Sequence, residues 1–88
     1  MFVKIYLHKS FEKQYKRLDS KQKESFKARR NIFIVNPFDQ ILNNHPLHGD
    51  LKDFRSINVN SDLRVIYKES PKGVYTFYKI DSHSNLYS

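Results

Sequence analysis

The chain has 88 residues, no cysteine and a formal net charge of +7, with 39% hydrophobic and 15% aromatic residues. That length holds one domain, spanning residues 1–88, around a single small core. The lack of cysteine excludes disulfides and thiolate chemistry, and no apolar run approaches the roughly 20 residues that cross a bilayer. The opening MFVKIYLHKS is too short and too broken by charge for a signal peptide, so a reducing cytoplasm is the expected compartment.

Positive charge is concentrated in the first half. Residues 9–30 carry nine Lys/Arg against three acids, whereas from His45 onward six bases face five acids. A basic face of this kind suits a polyanion, either nucleic acid or an acidic protein segment, and equally suits a solvated helix surface.

In chain order, Val3, Ile5 and Leu7 alternate with Phe2, Lys4 and Tyr6, which predicts a strand over residues 2–8. Ser10 is the expected N-cap of a short helix whose stripe is Phe11, Tyr15 and Leu18. Asp19 or Ser20 restarts a second helix over residues 21–35, with Phe26, Ile32 and Phe33 inward and the cations outward. Pro37 ends it, because the residue before a proline avoids the helical region.

Residues 37–50 read as a loop, with room for a helical turn at 38–42. Strands are expected at 53–59, 63–69 and 74–80, joined by turns at Asn60–Asp62 and Ser70–Gly73. Residues 82–88 form a short polar tail around Leu86 and Tyr87. The order β-α-α-β-β-β predicts an α+β fold: a helical hairpin on one face of a small, mostly antiparallel sheet. The other face stays open or is partly covered by the tail, and is the natural place for a site.

The densest ionisable stretch is residues 45–67, HPLHGDLKDFRSINVNSDLRVIY, and a further histidine lies in DSHSNLY near the end. His45-x-x-His48 offers at most two metal ligands, with no local third, so a metal site is not expected. Two glycines cannot build a phosphate-cradling loop, and no G-x-S-x-G elbow is present, so no cofactor is implied. Phosphodiester cleavage without a metal needs a base for a 2′-OH, an acid for the leaving oxygen and cations for the phosphate. Imidazoles suit the first two tasks, which nominates His45 and His83. Lys52, Arg55 and Arg64 are candidates for the phosphate, and Tyr67, Tyr78 and Tyr87 for stacking an unpaired base. Each residue also has a plainer reading: a solvated histidine, an arginine paired with an acid, a half-buried tyrosine.

Taken in order, HPLHG, LKDFR, DLRVIY and HSNLY resemble the RelE/ParE toxin superfamily, most closely its YafQ-like branch of mRNA interferases. FEKQYKRL and the basic helix resemble that family's amino-terminal hairpin, so the likeness covers nearly the whole chain. It implies a RelE-like fold and ribosome-associated, metal-independent cleavage of mRNA, with a cognate antitoxin as protein partner and no membrane or small-molecule cofactor. It places His45, Asp62 and His83 on catalytic positions and Tyr87 on the terminal aromatic, with His83 the principal acid or base. Three positions depart from the pattern. Asn58 stands where the branch has another histidine, Leu63 where it can have tryptophan, and Ser82 where glycine is usual. Asn cannot exchange a proton, so a base role at that position is lost. The alternative reading is a toxin fold that acts by binding alone, as a ParE-like gyrase inhibitor or a weakened paralogue. A basic RNA-binding module without a toxin role is the third.

Overall fold

A computed structural model describes residues 3–87, with Tyr87 described in its backbone only. Phe2 of the expected first strand and Ser88 of the tail lie outside the described residues. The elements are β1 (Lys4–Leu7), α1 (Lys9–Lys16), α2 (Ser20–Val35), a 3-10 turn at Gln40–Leu42, β2 (His45–Pro46) and a second 3-10 turn at Gly49–Leu51. They continue with β3 (Arg55–Asn58), β4 (Leu63–Glu69), β5 (Val74–Ser82) and α3 (His83–Tyr87).

The strands form one sheet in the order β1-β5-β4-β3-β2. β1 runs parallel to β5, and the other neighbours are antiparallel. The expected α+β fold is present, with two additions. Residues 45–46 of the expected loop pair with β3 as a fifth, edge strand. The expected polar tail continues β5 to Ser82 and then turns into α3.

Capping explains the helix boundaries. His8, not Ser10, caps α1, since its ring accepts the Ser10 N–H at 3.1 Å. Asp19 starts α2 with a capping box: its carboxylate accepts the Gln22 N–H at 2.8 Å and Gln22 Oε1 accepts the Asp19 N–H at 3.1 Å. Asn36, ahead of Pro37, is extended and ends α2.

The helices cover one face of the sheet. Phe11, Phe26 and Phe33 pack on Val65, Tyr67, Phe77 and Ile80. Phe33 sits edge-on to Tyr67, Tyr75 and Phe77 with centroids at 5.1, 4.9 and 5.4 Å. Such edge-to-face contacts suit the ring quadrupoles and fix the angle at which α2 lies on the sheet.

β1 ends at Leu7, leaving the outer edge of β5 without a strand partner from Tyr78 on. Side chains of α1 supply the missing bonds: Ser10 Oγ donates to the Tyr78 carbonyl at 2.6 Å, and Gln14 Oε1 accepts the Ile80 N–H at 3.0 Å. Ser10 is therefore an edge seal and not a cap. β5 also carries a bulge at Tyr78, since Tyr67 pairs with Phe77 and Ile66 with Lys79. The bulge reverses the alternation, so Ile80 is buried while Lys79 is exposed.

Candidate active site

The register sorts the residues of the second half onto two faces. On the face away from the helices, His45, Ser56, Ile66 and Lys79 form one row across the sheet, and Asn58, Arg64 and Asp81 the next. Arg55 pairs with Pro46 and Tyr67 and belongs to the helix face.

His45 is placed by two local devices. The Arg55/Ser56 pairing fixes its strand, and Asn43 before it adopts the left-handed conformation at φ 47°. Asparagine is among the few side chains that accept this region readily. The Asn43 carbonyl lies 2.8 Å from His45 Nδ1. A carbonyl can only accept, so Nδ1 carries the proton and neutral His45 presents Nε2 as a lone-pair acceptor. This tautomer is that of a base.

His83 reaches the same place from the other end of the chain. Ser82 Oγ accepts the Asn85 N–H at 3.2 Å, starting α3, and the His83 N–H donates to the Asp62 carbonyl at 2.8 Å. The β3–β4 turn thereby holds the first residue of α3 in position. His45, His48 and His83 line one open cleft of about 310 Å³, walled by Pro46, Leu47 and Leu51. Gly49, between His48 and Leu51 in the chain, has φ 64° and open space where a Cβ would stand, so backbone conformation and not space requires the glycine. Among the described residues, no three His, Cys, Asp or Glu side chains group as a metal site.

The other nominated residues lie elsewhere. Asp62 lines a separate depression with Asp19, Lys21 and Gln22 at the start of α2, and meets His83 through its backbone carbonyl. Arg64 on the open face is held by its own turn, donating to the carbonyls of Asn60, Leu63 and Ser61 at 2.8, 3.1 and 3.3 Å. Lys52 is exposed on the turn after Leu51. The Tyr87 side chain lies outside the described residues.

Arg55 is held by a side-chain network. Its Nε donates to Asn44 Oδ1 at 2.6 Å, and its guanidinium lies 5.1 Å from the Phe38 ring centroid. Asn44 Nδ2 in turn donates to Tyr67 Oη at 2.6 Å and to the Pro37 carbonyl at 2.8 Å. This network pins the 36–44 loop, and so the approach to His45, onto the sheet. Tyr67 is 1% exposed in this network and cannot stack a base. Burial raises its phenol above the usual range, against the smaller opposing effect of the Asn44 bond and the Arg55 charge. Tyr75 is raised too, by burial first and then by the Glu69 carboxylate.

Two residues that join the cleft or its approach were not nominated from sequence. His48 was weighed only as a metal ligand, although the same H-x-x-H spacing places it in the cleft. Asn44 gave no signal, because its three partners come together only in the fold. Asn58 is half-buried with Oδ1 unpartnered, the one buried side-chain oxygen or nitrogen in that state among the described residues.

Residues 3–88 match the sequence family described as the bacterial toxin of type II toxin–antitoxin systems, YafQ. The chain belongs to the YafQ toxin family. The crystal structure of YafQ from E. coli strain BL21(DE3) superimposes with a TM-score of 0.81 at 23% identity, covering 98% of this chain and 99% of that one. The RelE of an archaeal RelE–RelB complex from Pyrococcus horikoshii OT3 gives 0.72 at 22% identity, over 93% and 96% of the two chains. A metal-bound toxin from Helicobacter pylori gives 0.70 at 29% identity, over 99% and 100%. No curated protein sequence matches. The fold is that of the RelE superfamily, and the YafQ-like branch expected from the motifs is the one the family match gives. No helix among the described residues is long and apolar enough to cross a membrane.

Proposed function

We propose that this toxin is a metal-independent endoribonuclease that cleaves mRNA at the ribosome, in the cytoplasm, by attack of a ribose 2′-OH on the adjacent phosphorus. The observation that carries the proposal is the shared cleft: two histidines far apart in sequence open onto one solvent-accessible space. His45 Nε2 accepts the 2′-OH proton as O2′ attacks phosphorus. Protonated His83 gives its proton to the departing 5′-oxygen, leaving a 2′,3′-cyclic phosphate and a 5′-hydroxyl. Charge building on the phosphoryl oxygens is met by Lys52, exposed and next in sequence to the cleft residue Leu51, while Arg64 is held by the β3–β4 turn. Asp62 contributes by holding His83 through its carbonyl. Tyr87 is the terminal aromatic of the motif that contains His83. Arg55 is assigned to the Asn44–Tyr67 network and not to phosphate.

The basic helical hairpin is the surface that meets polyanions: Lys9, Lys13, Lys16, Arg17, Lys21 and Lys27 are all exposed. Ribosomal RNA and an acidic antitoxin segment both suit it. A cognate antitoxin is the expected protein partner, and a solved relative from E. coli is a DinJ–YafQ toxin–antitoxin complex.

The decisive experiment programmes purified ribosomes with a defined mRNA and maps the ends by primer extension. Wild type should cut the mRNA and leave a cyclic phosphate, and a single 2′-deoxy nucleotide at the cut should block that cut. His83→Ala and His45→Ala should each lose roughly 10²–10⁴-fold in rate, the usual size of a proton-transfer contribution, with unchanged circular dichroism. A 2′-deoxy substrate that is cut normally would rule out the 2′-OH mechanism. Absence of any cut, with a growth defect on expression, would favour the binding-only reading. The unpartnered Asn58, where a histidine stands in the branch, is the feature that favours that reading.

A further inference from the structure

Beside the histidine cleft lies a second, larger cavity of about 410 Å³ on the same open face. Its floor is Ile66, which is 3% exposed and stands on the opposite side of the sheet from the aromatic core. Its walls are Leu51, Phe54, Tyr78 and Leu86, with His8 at one end. The rings are already ordered: Tyr78 stacks on His8 at 4.9 Å and meets Phe54 edge-on at 5.2 Å. Tyr78 is the extra residue of the β5 bulge, between the two pairings, so Lys79 follows it onto the same open face.

Two features say what the cavity takes. Leu51 lines both the cavity and the histidine cleft, so an occupant of one is a neighbour of the occupant of the other. Positive charge surrounds an apolar interior: Lys79 is on the lining and Lys68 Nζ lies 5.8 Å from the Phe54 ring centroid. An apolar slot with ordered rings and a cationic rim suits a flat, π-rich group tethered to a phosphate backbone. A volume of this size falls within the roughly 300–1,000 Å³ of small-ligand sites.

We propose that this cavity binds an unpaired nucleobase of the RNA, the one flanking the bond that the histidine cleft addresses. The base enters by stacking on the Tyr78/Phe54 wall over Ile66, and Lys79 holds the phosphate beside it. Selection works by stacked area more than by base edges, since most of the lining is apolar and Lys79 is taken by the phosphate. At the His8–Ser10 end, Ser10 Oγ already donates to the Tyr78 carbonyl at 2.6 Å, and His8 Nδ1 accepts the Ser10 N–H at 3.1 Å. Purines are therefore preferred over pyrimidines.

The inference rests on the ribonuclease reading, and the test separates the two. Ribosomes are programmed with mRNAs carrying one abasic ribonucleotide at each position flanking the cut. Wild type should lose roughly 10- to 100-fold in kcat/KM at one of them, the scale of a base–aromatic stack. Tyr78→Leu should cut the intact and abasic mRNAs at the same reduced rate. Leu86→Asp, in a terminal helix outside the main core, serves the same purpose where Tyr78→Leu fails to fold. If wild type cuts and tolerates an abasic site at every flanking position, the base subsite is wrong while the ribonuclease reading stands. If wild type cuts nothing, the ribonuclease reading fails and the cavity is judged by titration with a 2-aminopurine ribodinucleotide. Fluorescence quenching that Tyr78→Leu abolishes would support the subsite, and no quenching would overturn it. A variant that releases a cognate antitoxin while cutting both mRNAs as wild type does would give the cavity to a protein side chain and overturn the proposal.

Discussion

Asn44→Ala should be among the most damaging polar-to-Ala changes in this chain, although Asn44 touches no substrate. Its amide makes three hydrogen bonds, two donated to Tyr67 Oη and the Pro37 carbonyl and one accepted from Arg55 Nε. Truncation leaves the hydroxyl of Tyr67 buried and short of a partner, which costs about 1–3 kcal/mol. Arg55 is half-buried and regains water, so its lost bond adds under about 1 kcal/mol. The total of about 1–4 kcal/mol is a large part of the stability of a domain this size, and lowers Tm by roughly 4–30 °C. Urea unfolding followed by circular dichroism measures it, with Asn44→Asp as control. The aspartate keeps the acceptor for Arg55 and loses both donors, so it should fall between wild type and alanine. Because the network also anchors the segment that carries the Asn43 carbonyl to His45, Asn44→Ala should slow cleavage even where it is fully folded. A change within about 0.5 kcal/mol, the range of an ordinary surface substitution, would refute the account of this loop.

Phe33→Ala removes the ring at the centre of three edge-on contacts and should cost about 3–5 kcal/mol, enough to leave a marginal domain partly unfolded at 37 °C. A urea midpoint near that of wild type would count against the aromatic cluster as the main tie between α2 and the sheet. The raised phenols of Tyr67 and Tyr75 bear on alkaline stability. In the unfolded chain they ionise near pH 10, whereas in the fold they keep their protons, so the stability they contribute is intact below about pH 10 and lost as pH rises through the folded values. Tyr67→Phe should flatten the fall in urea midpoint between pH 9 and 11, and an unchanged slope would show that Tyr67 does not carry it. RNA association should weaken with salt more steeply than antitoxin binding, because release of counterions from the phosphate backbone dominates the former. Equal slopes in a filter-binding titration would refute that division.

Much of the frame was legible in the residues. Alternation placed β1, β4 and β5, the i/i+4/i+7 stripe placed Phe11 inside, and Pro37 and Asp19 marked the two ends of α2. These features depend on neighbours in sequence, which is why they can be read there. The ordered histidine, arginine and tyrosine motifs carried the family as well, since their spacing is a property of the chain.

The faces and the partners were decided by tertiary structure. β2 is two residues long and includes a proline, so only its register against β3 makes it a strand. The same register turns Arg55 toward the helices, to Asn44, and turns His45 toward solvent, a choice that a one-residue slip would reverse. The bulge at Tyr78 reverses the alternation of β5 and brings Lys79 onto the cavity beside Tyr78, and no periodicity in the sequence announces it. Sequence determined which chemical groups this protein owns and which elements carry them. Folding decided that His45 and His83 share a cleft, because strand order and the Asp62–His83 bond join segments that the chain keeps far apart.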